Sequence, residues 1–132
     1  MAEEASVKAA LQALARDFGA GVPMRLLAME RIWDAVRDDL KQGPQAGSTA
    51  LEAMKNLDSV AELQRMAHSL KGAGRIFGWP ATSAAAAELE RVCADAGTSS
   101  DWSSIARAMA ELTHSAHQER SLANGERSET GT

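Results

Sequence analysis

A chain of 132 residues, 45% hydrophobic and 24% charged, is long enough for one domain with a core of its own. A net charge of −4 argues against nucleic-acid binding through bulk phosphate attraction. The single cysteine, Cys93, excludes an internal disulfide, argues against a cysteine-based zinc site and is read as a sign of a reducing compartment.

Helical spacing recurs along the chain, and no segment sustains the alternation of a strand. The first predicted helix covers about 3–18, with Val7, Leu11, Leu14 and Phe18 on one stripe; Gly19 and Gly21 are read as its end. Pro23 then fits the first turn of a second helix, about 23–41, which carries Leu26, Met29, Trp33, Val36 and Leu40 as a bundle seam. Gly43-Pro44 stops it, and residues 43–48 (GPQAGS) read as a loop. Thr49-Ala-Leu-Glu52 and Ser59-Val-Ala-Glu62 both resemble capping boxes, so 50–56 and 59–77 are either two helices or one with a bend. Gly78 is read as a terminator and Pro80 as the first turn of the next helix, about 80–96, closed by Gly97. Ser99, Ser100 or Asp101 caps a last helix with Trp102, Ile105, Met109, Leu112 and Ala116 on its seam.

Short connections favour antiparallel neighbours. The expected fold is therefore all-α: an antiparallel four-helix up-and-down bundle with an additional N-terminal helix. It occupies 1–120, and 121–132, where periodicity is lost, is expected to be a disordered tail. Residues 1–20 lack the pattern of a secretory leader. No apolar run approaches the ~18 residues of a membrane span, so a soluble, cytoplasmic monomer is expected.

Chemistry concentrates in residues 68–79, HSLKGAGRIFGW. On a helical wheel Leu63, Met66, Ala67, Leu70, Ala73, Gly74 and Phe77 form one apolar sector. His68 falls nearly opposite, beside Gln64, Arg65, Lys71, Gly72 and Arg75. A surface histidine on a helix is usually no more than a solvated side chain, and Lys71 with Arg75 an ordinary charged face. Gly72 breaks that reading. It lies in mid-helix on the outward face, where alanine would be better by about 1 kcal/mol. Packing against the chain's own core cannot explain a glycine that points outward; close approach by another molecule can. Gly74, in the core sector, is explained by close helix packing. An imidazole is a nucleophile near neutral pH, and fixed cations beside it stabilise an anion, so the arrangement suits capture of a phosphoryl group.

The spacing His68-x-x-Lys71-Gly72, followed by Ala73, Gly74 and Gly78, resembles that of histidine-containing phosphotransfer (HPt) domains, including the phosphotransfer domain of chemotaxis-type histidine kinases. A Leu-Glu pair on the following helix, Leu89-Glu90, matches too. The specific part of the likeness covers about 63–93. It implies that His68 takes a phosphoryl group on Nε2 and exchanges it with an aspartate of a response-regulator receiver domain. Lys71 would contact the phosphoryl oxygens, Gly72 give the partner room, and Glu90 accept a hydrogen bond from Nδ1–H. Arg75 and Gln64 join the candidates as docking or electrostatic residues, Gln64 also as a phosphoryl contact. The second histidine of chemotaxis-type domains falls here on Ala87, so a relay through that ring is lost.

There is no Gly-rich nucleotide loop and no acidic cluster placed for Mg²⁺. The chain is thus expected to be a substrate and carrier, not an enzyme, binding no cofactor or metal. Mg²⁺ would sit in the partner receiver or kinase. Ile76 and Leu57 are candidate apolar docking residues, with burial at the core's edge the favoured reading. His114 and His117, three apart, have metal-compatible spacing but are read as solvent-facing. The rival functions are a non-phosphorylated helical adapter and a small metal-binding bundle.

Overall fold

The computed structural model describes residues 2–41, 50–99 and 102–130. They form four helices: α1 (Ala2–Lys41), α2 (Ala50–Phe77), α3 (Pro80–Ser99) and α4 (Trp102–Thr130). The contacts between them fix the topology. Phe18 of α1 stacks on Phe77 of α2, whereas Asn56 near the start of α2 bonds Asp39 near the end of α1. Across α2 and α3, His68 meets Glu90 while Lys71 meets Ser83. Glu119, late in α4, reaches Ala81 and Thr82 at the start of α3. Each sequential pair is therefore antiparallel, as an up-and-down bundle requires.

The core is a seam of apolar side chains from all four helices. Met29, Leu63, Leu70, Leu89, Ile105 and Leu112 are its largest fully buried members, joined by Val22 and Val36. Trp33 and Trp79 are buried and Trp102 packs partly against the cluster, as packing anchors should.

The break expected at Gly19–Pro23 is absent. α1 continues through Gly19, Gly21 and Pro23 without interruption. The separate N-terminal helix of the sequence reading is instead the first part of α1. A proline inside a helix costs about 3 kcal/mol. Phe18, Val22, Leu26, Met29, Trp33 and Val36 step along one face across it, and all six are buried. Each such burial is worth about 1.5–3 kcal/mol, so the stripe outweighs the proline. Gly19 is not a terminator either: it lies within α1 facing the α2–α3 corner, where a Cβ would sit 3.4 Å from the Trp79 ring, at contact distance. That corner meets α1 at Phe18, whose ring has Phe77 at 5.3 Å and Trp79 edge-on at 5.5 Å. Val7, Leu11 and Leu14, earlier on the same stripe, are exposed.

α2 is one helix, which resolves the open choice at 50–77. Its end is a Schellman cap. Gly78 takes φ +82°, and the Trp79 N–H donates to the Gly74 carbonyl at 2.8 Å. α3 starts at Pro80, and Glu119 accepts from the N–H groups of Ala81 (3.2 Å) and Thr82 (2.5 Å), so a carboxylate from α4 caps the positive end of α3. α3 runs to Ser99, past the expected stop at Gly97, and α4 runs as helix through 121–130, past the loss of its seam. The Gly43-Pro44 stop, the 43–48 loop, the Thr49 cap and the Ser100 and Asp101 caps lie outside the described residues. No described helix is long and apolar enough to cross a membrane.

Candidate functional site

α2 buries Leu63, Ala67 and Leu70 completely, with Met66, Ala73 and Phe77 partly buried beside them. A helix held by that face turns the opposite one to solvent. His68 stands there, its side chain 68% exposed. Gly72, one turn on, is exposed, and a Cβ built on it would meet nothing within 4 Å. Gly74 is the opposite case. A Cβ there would lie 3.3 Å from the Trp79 carbonyl oxygen and 3.4 Å from Cβ and N of Ser83. Two glycines two residues apart thus have different causes: one admits α3, the other leaves the surface beside His68 bare.

α3 lies close enough to bring its own side chains to that surface. Glu90 Oε2 is 2.5 Å from His68 Nδ1. An ionised carboxylate only accepts, so the proton of this contact sits on Nδ1 and, in the neutral ring, the lone pair on Nε2. The other oxygen, Oε1, accepts from Lys71 Nζ at 2.6 Å. Glu90 therefore holds two groups of α2 at once. The Lys71 hydrogen bond draws its pKa below the usual glutamate value; partial desolvation opposes this and the His68 hydrogen bond adds to it. A second tie lies further along the same helix pair, where the Ser83 hydroxyl donates to the Lys71 carbonyl at 2.8 Å.

Four of the six candidate residues, His68, Lys71, Gly72 and Glu90, thus share one patch. Arg75 is exposed one turn beyond Lys71, and Gln64 is half-buried one turn before His68. Arg65, also on this face, is paired with Glu62 at 2.6 Å. Two features escaped the sequence reading. Lys71 is engaged by Glu90 rather than pointing free, a contact set by the register of two helices. Ser83 carried no signal except its place seven residues before Glu90. Ile76 and Leu57 also need correcting. Both are exposed, at 74% and 44%, and not buried at the core's edge.

The remaining candidates lie elsewhere. Cys93 is buried, and burial pushes its thiol up to about 12. His114 and His117 are exposed on a groove between α1 and α4 that Glu30 and Asp34 also line. Among the described residues no group of three or more His, Cys, Asp or Glu is placed to hold a metal ion. The larger cleft, lined by Gly19, Phe77, Trp79 and Arg120, does not include His68. The histidine stands on an open face, a shape that suits a protein partner better than an enclosed small molecule.

The antiparallel bundle thus offers one oriented imidazole on an open face, with an ammonium group and a bare stretch of helix beside it. The Hpt domain family model matches residues 13–120, and the chain belongs to the Hpt domain family. Comparisons with curated proteins and with solved structures give no match. Members of the family serve histidine phosphotransfer in phosphorelays, interact with kinases and receiver domains, and are carriers without a kinase catalytic domain.

Proposed function

We propose that His68 is the phospho-acceptor and that it exchanges its phosphoryl group with an aspartate of a receiver domain. The contact between Nδ1 and Glu90 carries this reading, since it leaves Nε2 as the free nucleophile on an exposed ring. In the forward step the Nε2 lone pair forms the N–P bond as the P–O bond to the donor's aspartate breaks, and the donor leaves as a carboxylate. The ring, now substituted at Nε2 and protonated at Nδ1, is a cation. Glu90 balances that charge and keeps the Nδ1 proton in place. The return step reverses the same bonds.

Lys71 begins on Glu90 Oε1 and is half-exposed. A phosphoryl group on Nε2 brings a competing anion to the same face. Lys71 can turn to it without leaving the site, which spreads the new negative charge over a cation already present. Gly72 supplies clearance for the receiver, and Arg75 and Gln64 flank the ring as docking contacts, Gln64 also within the phosphoryl's neighbourhood. Mg²⁺ and the groups that activate the aspartyl phosphate belong to the partner. Incubation with a phosphorylated receiver domain tests the reading. It requires an acid-labile, alkali-stable label on this chain that disappears in His68→Gln. A label that survives the substitution puts the acceptor on another residue and overturns the role of His68; no label with any receiver favours the adapter reading instead.

A further inference from the structure

The geometry points to Ser83 as a positioning residue for phosphotransfer, acting through the α2–α3 register; the inference rests on the proposed role of His68 for its kinetic part only. Glu90 must reach Nδ1 of His68 and Nζ of Lys71 together, at 2.5 and 2.6 Å. Both contacts cross from α3 to α2, and neither partner on α2 is buried enough to be fixed by packing alone. His68 is 68% and Lys71 35% exposed. Whether both contacts form therefore depends on the axial phase of the two helices.

Ser83 is placed to hold that phase. It lies seven residues before Glu90, two turns of helix, so the two side chains share a face of α3 about 10 Å apart. Its hydroxyl donates to the carbonyl of Lys71, the residue whose ammonium group Glu90 holds. An axial slide of α3 along α2 moves the hydroxyl off that carbonyl and moves Glu90 off the ring by the same amount. Lateral spacing is set at the same level, where Ser83 Cβ and N lie 3.4 Å from the point a Gly74 Cβ would occupy. The packed seam and the short corner at Gly78 and Trp79 set the register coarsely, but over small displacements a non-directional apolar contact discriminates weakly. A hydrogen bond between two helices is directional and resists the slide. Ser83 touches no reacting atom. It acts by holding Glu90, and through it the tautomer of His68.

The full chain bearing Ser83→Ala tests this with two readouts. In ¹⁵N-resolved NMR of the imidazole, the wild-type ring is expected to be held with its proton on Nδ1, whereas Ser83→Ala is expected to show a mixture of tautomers. Transfer from a phosphorylated receiver is expected to slow by about 2- to 10-fold, the range that a single neutral hydrogen bond supports. Ser83→Thr, which keeps the hydroxyl, is expected to restore the ring signal. Ile105→Val, a buried change on α4, controls for stability: it lowers the melting temperature and leaves the ring unchanged. An unchanged Nδ1 signal in Ser83→Ala overturns the inference, whatever the transfer assay shows. So does a loss of that signal in Ile105→Val equal to the loss in Ser83→Ala. A wild-type chain that takes no label overturns the role of His68 instead, and the NMR comparison still decides the role of Ser83.

Discussion

Alanine at position 72 and alanine at position 74 are the same substitution two residues apart on one helix, and they should change stability in opposite directions. At Gly72 the added methyl enters open space, since nothing lies within 4 Å. Only the backbone term remains, and alanine should stabilise the helix by about 1 kcal/mol. At Gly74 the same gain applies, but the methyl arrives 3.3 Å from the Trp79 carbonyl oxygen and 3.4 Å from Ser83. Two of these three neighbours are backbone atoms of the α2–α3 corner and cannot swing away. Overpacking of this kind costs about 1–3 kcal/mol, so the net effect is a loss of about 0–2 kcal/mol. The two variants should therefore differ by about 1–3 kcal/mol in urea unfolding. For a chain of this size that is a gap of roughly 3–15 °C in melting temperature. Transfer gives the second half of the test. Gly72→Ala should fold better yet exchange phosphoryl more slowly with a receiver, and Gly72→Glu should block exchange while remaining helical. A Gly74→Ala variant as stable as Gly72→Ala would refute the close approach of α3 on which the site geometry depends.

Glu90→Ala should lower stability by no more than about 1 kcal/mol, because both partners are substantially exposed, while slowing transfer by about 10-fold or more. The pKa of Glu90 is depressed in the folded chain, so its stabilisation is complete above the ordinary value of about 4.5 and lost as pH falls through the folded value. The stability gap between wild type and Glu90→Gln should accordingly close on acidification, and a gap that widens there would contradict it. Glu119→Ala leaves two N–H groups of α3 uncapped and should cost about 1 kcal/mol in unfolding experiments; an unchanged midpoint would show that the cap contributes nothing. Cys93, buried with its thiol pushed up to about 12, should resist maleimide in the native chain and react once urea unfolds it. Fast native labelling would show that the interior near Glu90 opens.

What could be read from the sequence was decided by interactions between near neighbours. The wheel over residues 62–77 separates the buried Leu63, Ala67 and Leu70 from the exposed His68 and Gly72, because helical periodicity depends on one element alone. Gly78, the corner glycine, is legible for the same reason. Errors arose where distant burial overrides local preference. Gly19, Gly21 and Pro23 look like punctuation, yet six buried side chains hold α1 straight through them. Contacts between helices carry no local signal at all. Lys71 on Glu90 spans 19 residues, Ser83 on the Lys71 carbonyl 12, and Glu119 on the start of α3 nearly 40. Each depends on a register fixed only when the bundle closes. Ile76 and Leu57 show the remaining gap: at the edge of an apolar sector, periodicity does not say where the neighbouring helix stops.

The most direct measurement is the position of phosphorus on the ring. ³¹P and ¹⁵N NMR of the chain after exchange with a phosphorylated receiver should place the phosphoryl group on Nε2 of His68, with the proton retained at Nδ1 against Glu90. Phosphorus on Nδ1, or on any other residue, would contradict the assignment.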